Sequence, residues 1–190
     1  MEEKRDVEKA LQQSLKKLAV RMPFEKITIK NITDGAGVIR VTFYNHYQDK
    51  YDLLESIIRE EIIEPVRILL TNGMYREALI LIFSNLERDK DFYMHVSRIE
   101  GQNSFREITS HSVYTVLYNI FSDRAGDTKP KHAWLTPEYL ARYYAESMTF
   151  VVVFWIQAGM PFPPEEMATL YQYIGTRSMT DILDELGKKL

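Results

Sequence analysis

Apolar residues recur every three to four positions along most of the chain. A first segment of this kind, ending near Met22-Pro23, carries Val7, Ala10, Leu11, Leu15, Leu18 and Ala19. Such spacing places apolar side chains along one face of an α-helix. No strict alternation of apolar and polar residues bounded by hairpin turns occurs. The pattern predicts an all-α protein with about nine helices.

Capping and turn residues mark where these helices begin and end. Thr28 is predicted to cap a short second helix, which ends at Gly35 and Gly37. Asp49 is predicted to cap a longer helix, which Pro65 kinks or ends. Further helices are predicted over residues 39–47, 75–86, 91–99, 105–123 and 137–158 and from 164 onward, with an exposed loop at 125–132. Three short helices before a longer one indicate a helix-turn-helix head in front of a helical bundle.

The composition is that of an ordinary folded protein, with 45% apolar and 27% charged residues. The chain has no cysteine, which excludes disulfides, thiolate metal sites and a cysteine nucleophile. The N-terminal segment is charged and has no apolar signal sequence. The longest apolar run, residues 150–156, is much shorter than the ~20 residues of a membrane span. We therefore expect a cytoplasmic protein that does not enter a membrane.

Positive charge is concentrated near the N-terminus, although the whole chain carries a net charge of -3. Residues 1–50 contain ten Lys and Arg against seven Asp and Glu, so the excess of acid lies in the remaining residues. A basic head on an acidic body suggests that the head meets a polyanion such as DNA. The difference is small, and a random scatter of a few charges is the alternative explanation.

The segment from Gly37 to Lys50 divides into two faces. Val38, Phe43 and Tyr47 are spaced so that they can turn back into the small core. The side chains left mainly outside are Arg40, Val41, Thr42, Tyr44, Asn45 and His46. Arg and Asn suit forked hydrogen bonds to guanine and adenine, and an apolar Val suits the thymine methyl group. Thr, Tyr and His can donate to phosphate oxygens, and Lys50 stands at a helix N-terminus that favours an anion.

Residues 5–55 resemble the DNA-binding head of TetR-type transcriptional regulators. The matching elements are Thr28-x-x-x-Ile32, Ala36-Gly37-Val38, Thr42-Phe43-Tyr44, His46-Tyr47, Asp49-Lys50 and Leu53-Leu54. The resemblance implies an all-α homodimer. In each subunit, a helix-turn-helix DNA-binding domain (residues 1–50) would precede a helical effector-binding and dimerisation domain (residues 51–190). Past residue 60, the chain looks most like the subgroup related to regulators of dihydroxyacetone use.

The resemblance also implies a role for each position of the head. Phosphate contacts are implied for Thr28, Thr42, Tyr44, His46 and Lys50. Base-edge contacts are implied for Arg40, Val41 and Asn45. Two residues depart from the family pattern. Ile39 stands where the family often has Ser or another residue that caps the recognition helix, and Gly35 costs the preceding helix about 1 kcal/mol relative to Ala.

The chain offers little for catalysis or metal binding. No Ser or carboxylate is obviously placed to orient His46, and a short exposed helix gives little desolvation to tune its imidazole. The histidines at 46, 95, 111 and 132 are too widely separated for a metal site. We therefore predict no enzymatic activity, no metal and no cofactor. An all-α enzyme with an acid–base pair in the body is the competing class.

The body is rich in aromatic residues at helical spacing, which form either plain core or the lining of an apolar ligand pocket. The polar residues that could converge on such a pocket are His95, Arg98, Glu100, His111 and Tyr118. The ligand would be an unknown small molecule, and a protein effector is the alternative.

Two C-terminal helices carry small and apolar positions that could bury a symmetric four-helix dimer interface. In the helix over residues 139–157, these are Ala141, Ala145, Ser147, Met148 and Val152. In the last helix, they are Met167, Leu170, Ile174, Met179, Ile182, Leu183 and Leu186. The alternative is that both helices only close the core of the monomer. Dimerisation is favoured because two heads about 34–36 Å apart bind successive major grooves.

Together, these features predict a sequence-specific regulator that binds double-stranded DNA at a palindromic operator and responds to an effector. Repression is favoured over activation. The alternative functions are a transcriptional activator and a helical adaptor whose body binds a protein partner.

Overall fold

A computed structural model describes residues 2–126, 130 and 132–187. These residues form helices and turns without any β-strand, which confirms the predicted all-α class. The helices are α1 (Glu2–Ala19), α2 (Ile29–Ala36), α3 (Arg40–Tyr44), α4 (Lys50–Ile58), α5 (Arg67–Thr71), α6 (Tyr75–Arg88), α7 (Lys90–Val96), α8 (Phe105–Ala125), α9 (Pro137–Gln157), α10 (Pro164–Thr176) and α11 (Met179–Gly187). Of the loop predicted at 125–132, residues 127–129 and 131 lie outside the described residues. None of the described helices combines the length and the apolar character that a membrane span requires.

The helix predicted from Asp49 onward is continuous but irregular. α4 passes into a π-helical turn at Arg59–Ile63 and then a 3₁₀ turn at Glu64–Val66, after which α5 begins. Pro65 lies in the 3₁₀ turn. Proline has no backbone N–H to donate and its ring clashes with the preceding turn, so regular α-helical geometry ends before it.

Side-chain caps begin two long body helices, as their sequence spacing predicts. Ser104 Oγ accepts a hydrogen bond from the Glu107 backbone N–H at 3.2 Å, and the Glu107 carboxylate accepts one from the Ser104 N–H at 3.3 Å. This capping box starts α8. Thr136 Oγ1 accepts from the Tyr139 N–H at 3.2 Å and starts α9.

The last helix differs from its prediction. The sequence predicts one long helix from residue 164, whereas the structure divides it into α10 and α11. Ser178 Oγ accepts from the Asp181 N–H, and the Ser178 N–H donates to the Asp181 carboxylate, both at 3.1 Å. This reciprocal capping starts a new helix at the break.

One hydrophobic core runs from the head into the body. Its buried members include Leu11, Leu15, Phe43, Leu53, Ile57, Phe83, Tyr93 and Trp155. α1 packs on α2 within the head, while α8 packs along α9 and α6 packs on α10 within the body. The proposed domain boundary between residues 50 and 51 falls at the start of α4, so the core crosses it. The two-domain division remains a prediction.

Candidate nucleic-acid interface

Gly37 turns the chain between α2 and α3. Its backbone is left-handed (φ 70°), a conformation that glycine adopts without a Cβ clash, and its N–H donates to the Asp34 carbonyl. The next N–H, that of Val38, donates to the Thr33 carbonyl at 3.1 Å. These bonds close the end of α2. Val38 then packs against the hydrophobic core, as predicted.

α3 is held from behind by two aromatic rings. Phe43 is fully buried and Tyr47 is 6% exposed, and their ring centroids lie 5.8 Å apart. α3 spans only Arg40–Tyr44, shorter than the predicted 39–47. α3 ends where the N–H of His46 donates to the Phe43 carbonyl three residues earlier. This hydrogen bond makes a tighter turn than the four-residue spacing of an α-helix.

The opposite side of α3 faces outward. Val41 and Tyr44 are 65% and 51% exposed, and Arg40 and Asn45 are exposed as well. A guanidinium nitrogen of Arg40 donates to the Tyr44 hydroxyl at 3.4 Å. Thr42 is half-buried at the edge of this surface. We call Arg40, Val41, Tyr44 and Asn45 the recognition face.

Ile39 begins α3 without a capping side chain, as predicted. Its backbone is extended (φ -86°, ψ 157°), and no side-chain hydrogen bond caps the helix there. An isoleucine side chain has no acceptor for the first-turn N–H groups. The side chain is 69% exposed, so Ile39 and Val41 flank Arg40 with apolar surface.

Thr28 organises the start of α2, as predicted. Its Oγ1 accepts from the Asn31 N–H at 3.1 Å, and its own N–H donates to Asn31 Oδ1 at 3.0 Å. Thr28 is exposed. The reciprocal cap fixes the first turn of α2 and leaves the positive end of the helix dipole at the surface.

His46 lies away from the recognition face. Its Nδ1 lies 3.1 Å from Glu8 Oε1 on α1, and only 9% of its side chain is exposed. A ring covered in this way fastens the end of α3 to α1. The contact of His46 with phosphate stays a prediction from the sequence.

Lys50 is half-buried, and its ammonium group contacts the protein backbone. Its Nζ donates to the carbonyls of Phe24 at 2.8 Å and of Glu25 and Ile27 at 3.0 Å each. These bonds occupy all three donors of a lysine ammonium. Desolvation lowers the pKa of Lys50, and the negative charges of Glu25 and Asp49 oppose that shift. Lys50 therefore holds the turn between α1 and α2, whereas the sequence predicts a phosphate contact.

The close approach of α2 to α1 explains why residue 35 is a glycine. A Cβ at this position would lie 2.4 Å from Ser14 Oγ, far inside van der Waals contact. That hydroxyl is fixed in place because it donates to the Ile32 carbonyl at 2.7 Å. The close helix packing offsets the propensity cost that the sequence predicts for Gly35.

The body of the chain matches a known protein family. The family model described as the C-terminal region of TetR-type transcriptional regulators matches residues 75–176, more than half of the chain. The chain belongs to the TetR family of transcriptional regulators. It is a DNA-binding regulator of that family, as the sequence predicts.

Two relatives illustrate the similarity. The HTH-type dhaKLM operon transcriptional activator DhaS of Lactococcus lactis subsp. lactis (strain IL1403) is 22% identical over 143 residues, 74% of either protein. A solved structure of the dihydroxyacetone kinase operon activator DhaS has a TM-score of 0.62 and 19% identity, covering 88% of this chain and 93% of that one. The similarity agrees with the predicted likeness to the dihydroxyacetone subgroup.

A second solved structure is NalD of Pseudomonas aeruginosa, the secondary repressor of the MexAB-OprM multidrug efflux pump. Its TM-score is 0.56 at 16% identity, covering 87% of this chain and 92% of that one. At this identity, the likeness shows a shared fold.

In the regulator, a buried lysine ties the head to the body. Lys16 of α1 is 8% exposed, and its Nζ lies 2.8 Å from Glu61 Oε1 and 2.9 Å from Asp89 Oδ2. Glu61 belongs to the π-helical turn. Its backbone carbonyl accepts from Asn85 Nδ2 at 2.8 Å, and its carboxylate accepts from the Tyr93 hydroxyl at 3.3 Å. The π-helical turn is therefore the junction between head and body.

The body of the regulator contains a partly open cavity of about 410 Å³. Its lining residues are Ile63, Val66, Leu70, Tyr75, Leu79, Ile82, Val113, Val116, Leu117, Ile120, Phe121, Tyr144, Met148, Tyr171, Gln172, Gly175 and Thr176. None of these lining residues carries a charge. Burial raises the pKa of Tyr171 to about 12, with further contributions from Tyr144 and Tyr143, so its hydroxyl is neutral near neutral pH.

The polar residues predicted for a ligand pocket do not line this cavity. His95 and Arg98 are exposed and border an open groove of about 370 Å³ beside the end of α1. Glu100 and His111 are exposed, and Tyr118 is 41% exposed. The prediction selected polar residues, whereas the cavity is lined mostly by apolar side chains, which periodicity alone assigns to the core.

Proposed function

We propose that this TetR-family regulator is a cytoplasmic repressor that binds a palindromic operator as a homodimer and is released by an effector in its body. The recognition face carries the proposal, because its exposed side chains stand on a helix fixed by Phe43 and Tyr47. Arg40 and Asn45 suit bidentate bonds to guanine and adenine, and Val41 suits a thymine methyl group.

The proposed contacts follow from exposure. Base edges are met by Arg40, Val41 and Asn45. Phosphates are met by Thr28, Thr42 and Tyr44. His46 and Lys50 act as positioning residues, because the first is held by Glu8 and the second by three backbone carbonyls.

An exposed apolar stripe on α9 supports dimerisation. The stripe consists of Tyr139, Tyr143, Phe150 and Phe154. These side chains are 56–67% exposed, and their spacing places them along one face of the helix. Leu170 and Ile174 on α10 add further exposed apolar surface. Large exposed patches mark interaction sites, and a second copy supplies the second head that a palindrome requires.

Some of the positions predicted for the interface are buried within the monomer, and others are exposed. Ala141, Ala145 and Met167 are buried within the monomer, and Met148 and Val152 line an internal cavity. The predicted positions that are exposed are Ser147, Leu170, Ile174, Met179, Leu183 and Leu186. Alanine on the inner face lets α9 approach α8 closely, while the bulky aromatics lie outside.

Effector control would reach the head through the π-helical turn. Ile63 of that turn lines the cavity, and Glu61 of the same turn holds Lys16 of α1. A ligand that displaces the turn would therefore displace the head. Such a ligand changes DNA affinity only if it binds the two head arrangements with different affinities.

Activation is the second candidate, because DhaS is an operon activator while NalD is a repressor. Transcription from a promoter carrying the selected operator, with and without the regulator, distinguishes the two. Repression predicts a higher transcript level when the regulator is removed, and activation predicts a lower one.

A salt titration of DNA affinity tests the proposal. We expect affinity for random and selected duplexes to fall steeply as salt rises. Arg40→Ala and Asn45→Ala should each relax base preference by about 1–3 kcal/mol at one position of a half-site. Gln13→Ala, at an exposed position of α1, is the matched control and should change neither property. Absence of binding at every salt concentration, or binding without salt dependence, would sink the proposal.

A further inference from the structure

Exposed apolar side chains in the head are concentrated around the start of α3. Within the described residues of the head, the large apolar side chains that are exposed are Val20, Ile39, Val41 and Tyr44. Three of these four lie within six consecutive positions, and Ile39 is the most exposed at 69%. Single exposed apolar residues are ordinary on a protein surface, whereas a concentration of them marks an interaction site. The concentration therefore points to a contact made by the start of α3.

The Ile39 side chain supplies neither a cap nor a core contact to the free protein. It occupies the position at which a Ser, Thr, Asp or Asn side chain would accept a hydrogen bond from the first turn of α3, and no such bond is present. Its side chain also lies outside the hydrophobic core. An isoleucine here leaves the helix start uncapped and exposes apolar surface to water. Both effects are unfavourable in the free protein, so the side chain becomes favourable only in a complex.

The backbone at Ile39 is fixed on both sides. Its carbonyl accepts from the N–H of Thr42 at 3.0 Å and from the N–H of Phe43 at 3.4 Å. Phe43 is fully buried, and Val38 packs against the core. A β-branched side chain also has few χ1 rotamers. Ile39 is therefore held in a defined position before DNA is bound, which reduces the entropy lost on binding.

The position of Ile39 in the helix-turn-helix determines what its side chain can contact. The second helix of this motif enters the major groove with its N-terminal residues against the base edges. Ile39 directly precedes Arg40, the first residue of α3, for which we propose a bond to guanine. An isoleucine side chain has no hydrogen-bonding group. The apolar group that the major groove offers to such a side chain is the 5-methyl group of thymine.

We infer that Ile39 is a specificity-determining residue, whose side chain contacts the 5-methyl group of a thymine beside the base pair that Arg40 contacts. The inference rests on the proposed function, because it requires α3 to lie in the major groove. It adds a base contact to those proposed for Arg40, Val41 and Asn45. Because cytosine and uracil lack this methyl group, the contact selects thymine.

Replacement of each thymine of a selected half-site by uracil, one at a time, tests the inference with the purified full-length protein. Uracil differs from thymine only by the missing 5-methyl group. At one thymine, the affinity of the wild type should fall by about threefold to fivefold, as expected for the loss of one buried methyl group. At the same position, Ile39→Ala and Ile39→Ser should bind the thymine and uracil duplexes equally. Both variants should keep the wild-type salt dependence, since no phosphate contact is lost.

Val41→Ala and Ile68→Ala are the controls. Val41→Ala should stay sensitive to uracil at the Ile39 thymine and lose sensitivity only at a different thymine. Ile68 is 74% exposed on α5 of the body, so Ile68→Ala removes similar apolar surface and should behave as the wild type at every thymine. Ile39→Ser should also be more stable than the wild type, because serine can cap α3. A loss of thymine preference in a more stable protein cannot result from a damaged fold.

Two results would overturn the inference while leaving the proposed function intact. One is a selected half-site that contains no thymine. The other is equal sensitivity to uracil, at every thymine, in the wild type, Ile39→Ala and Ile39→Ser. Failure of the wild type to select any duplex would instead overturn the proposed function, and the inference with it.

Discussion

The Nζ atom of Lys16 lies 2.8 Å from Oε1 of Glu61, which joins the first helix of the head to the π-helical turn of the body. Only 9% of the Lys16 side chain and 20% of the Glu61 side chain are exposed. Asp89 lies 2.9 Å from the same ammonium. Removing the lysine therefore leaves the partly covered Glu61 carboxylate without its cation, whereas Asp89 keeps Arg88, whose Nε lies 3.6 Å away.

Lys16→Met should lower the free energy of unfolding by about 1–3 kcal/mol, because a covered ion pair loses one partner. Chemical denaturation measures the change. Lys17→Met is the matched control, since the neighbouring Lys17 is exposed and its loss should cost less than about 0.5 kcal/mol. Equal stability of the two variants would show that the Lys16 pair contributes nothing at this junction.

Gly35→Ala should lower stability by about 1–3 kcal/mol, because its Cβ would collide with Ser14 Oγ. Adding Ser14→Ala should recover most of the loss, since the nearest remaining atom, Ser14 Cβ, lies 3.4 Å away. Gly175→Ala is the control, because its Cβ would meet nothing within 4 Å, and it should stabilise α10 slightly. Thermal melts of the single and double variants measure these changes in stability. Additive losses of stability for Gly35→Ala and Ser14→Ala would contradict the packing explanation.

Ile39→Ser should raise the stability of the head by about 0.5–1 kcal/mol, because the serine hydroxyl can accept from the free N–H groups of α3. Ile39→Ala removes the same apolar surface without adding a cap and serves as the comparison. Denaturation of both variants measures the difference, and the cap explanation fails if serine is no better than alanine.

Lys50→Met should weaken binding to random and selected duplexes alike and leave the salt dependence unchanged. Its ammonium holds backbone carbonyls, so no phosphate contact is lost. A phosphate ligand would instead contribute about 0.9 to the slope of log affinity against log salt. Lys30→Met, at an exposed position in the first turn of α2, is the comparison that should reduce the slope. A reduced slope for Lys50→Met would instead support the phosphate contact predicted from the sequence.

The features that sequence predicts well depend on residues close together along the chain. The Thr28 cap, the turn at Gly37 and the uncapped Ile39 each involve a few neighbouring positions. The break at Ser178 could also have been predicted, because Asp181 stands three residues later. The apolar repeat, however, continues across this break and therefore predicts one uninterrupted helix.

Other features depend on residues far apart along the chain. The partners of His46 and Lys50 lie on or just after α1, and no local pattern pairs them. Thr109 and Thr149 line one small cavity only because α8 packs on α9. On α9 itself, apolar residues occur on every side, with Trp155 buried beside an exposed Phe154. Periodicity therefore cannot separate the core from a dimer surface there.

Selection of bound DNA from a random-sequence library, performed with wild-type protein and with Asn45→Ala, tests the central claim most directly. We predict that the wild type enriches a palindrome whose half-site centres lie about 10 base pairs apart, as two symmetric heads on successive major grooves require. The Asn45→Ala protein should lose preference at one position of each half-site. Enrichment of no site, of a site without symmetry, or of the same site by both proteins would contradict the assignment of the recognition face.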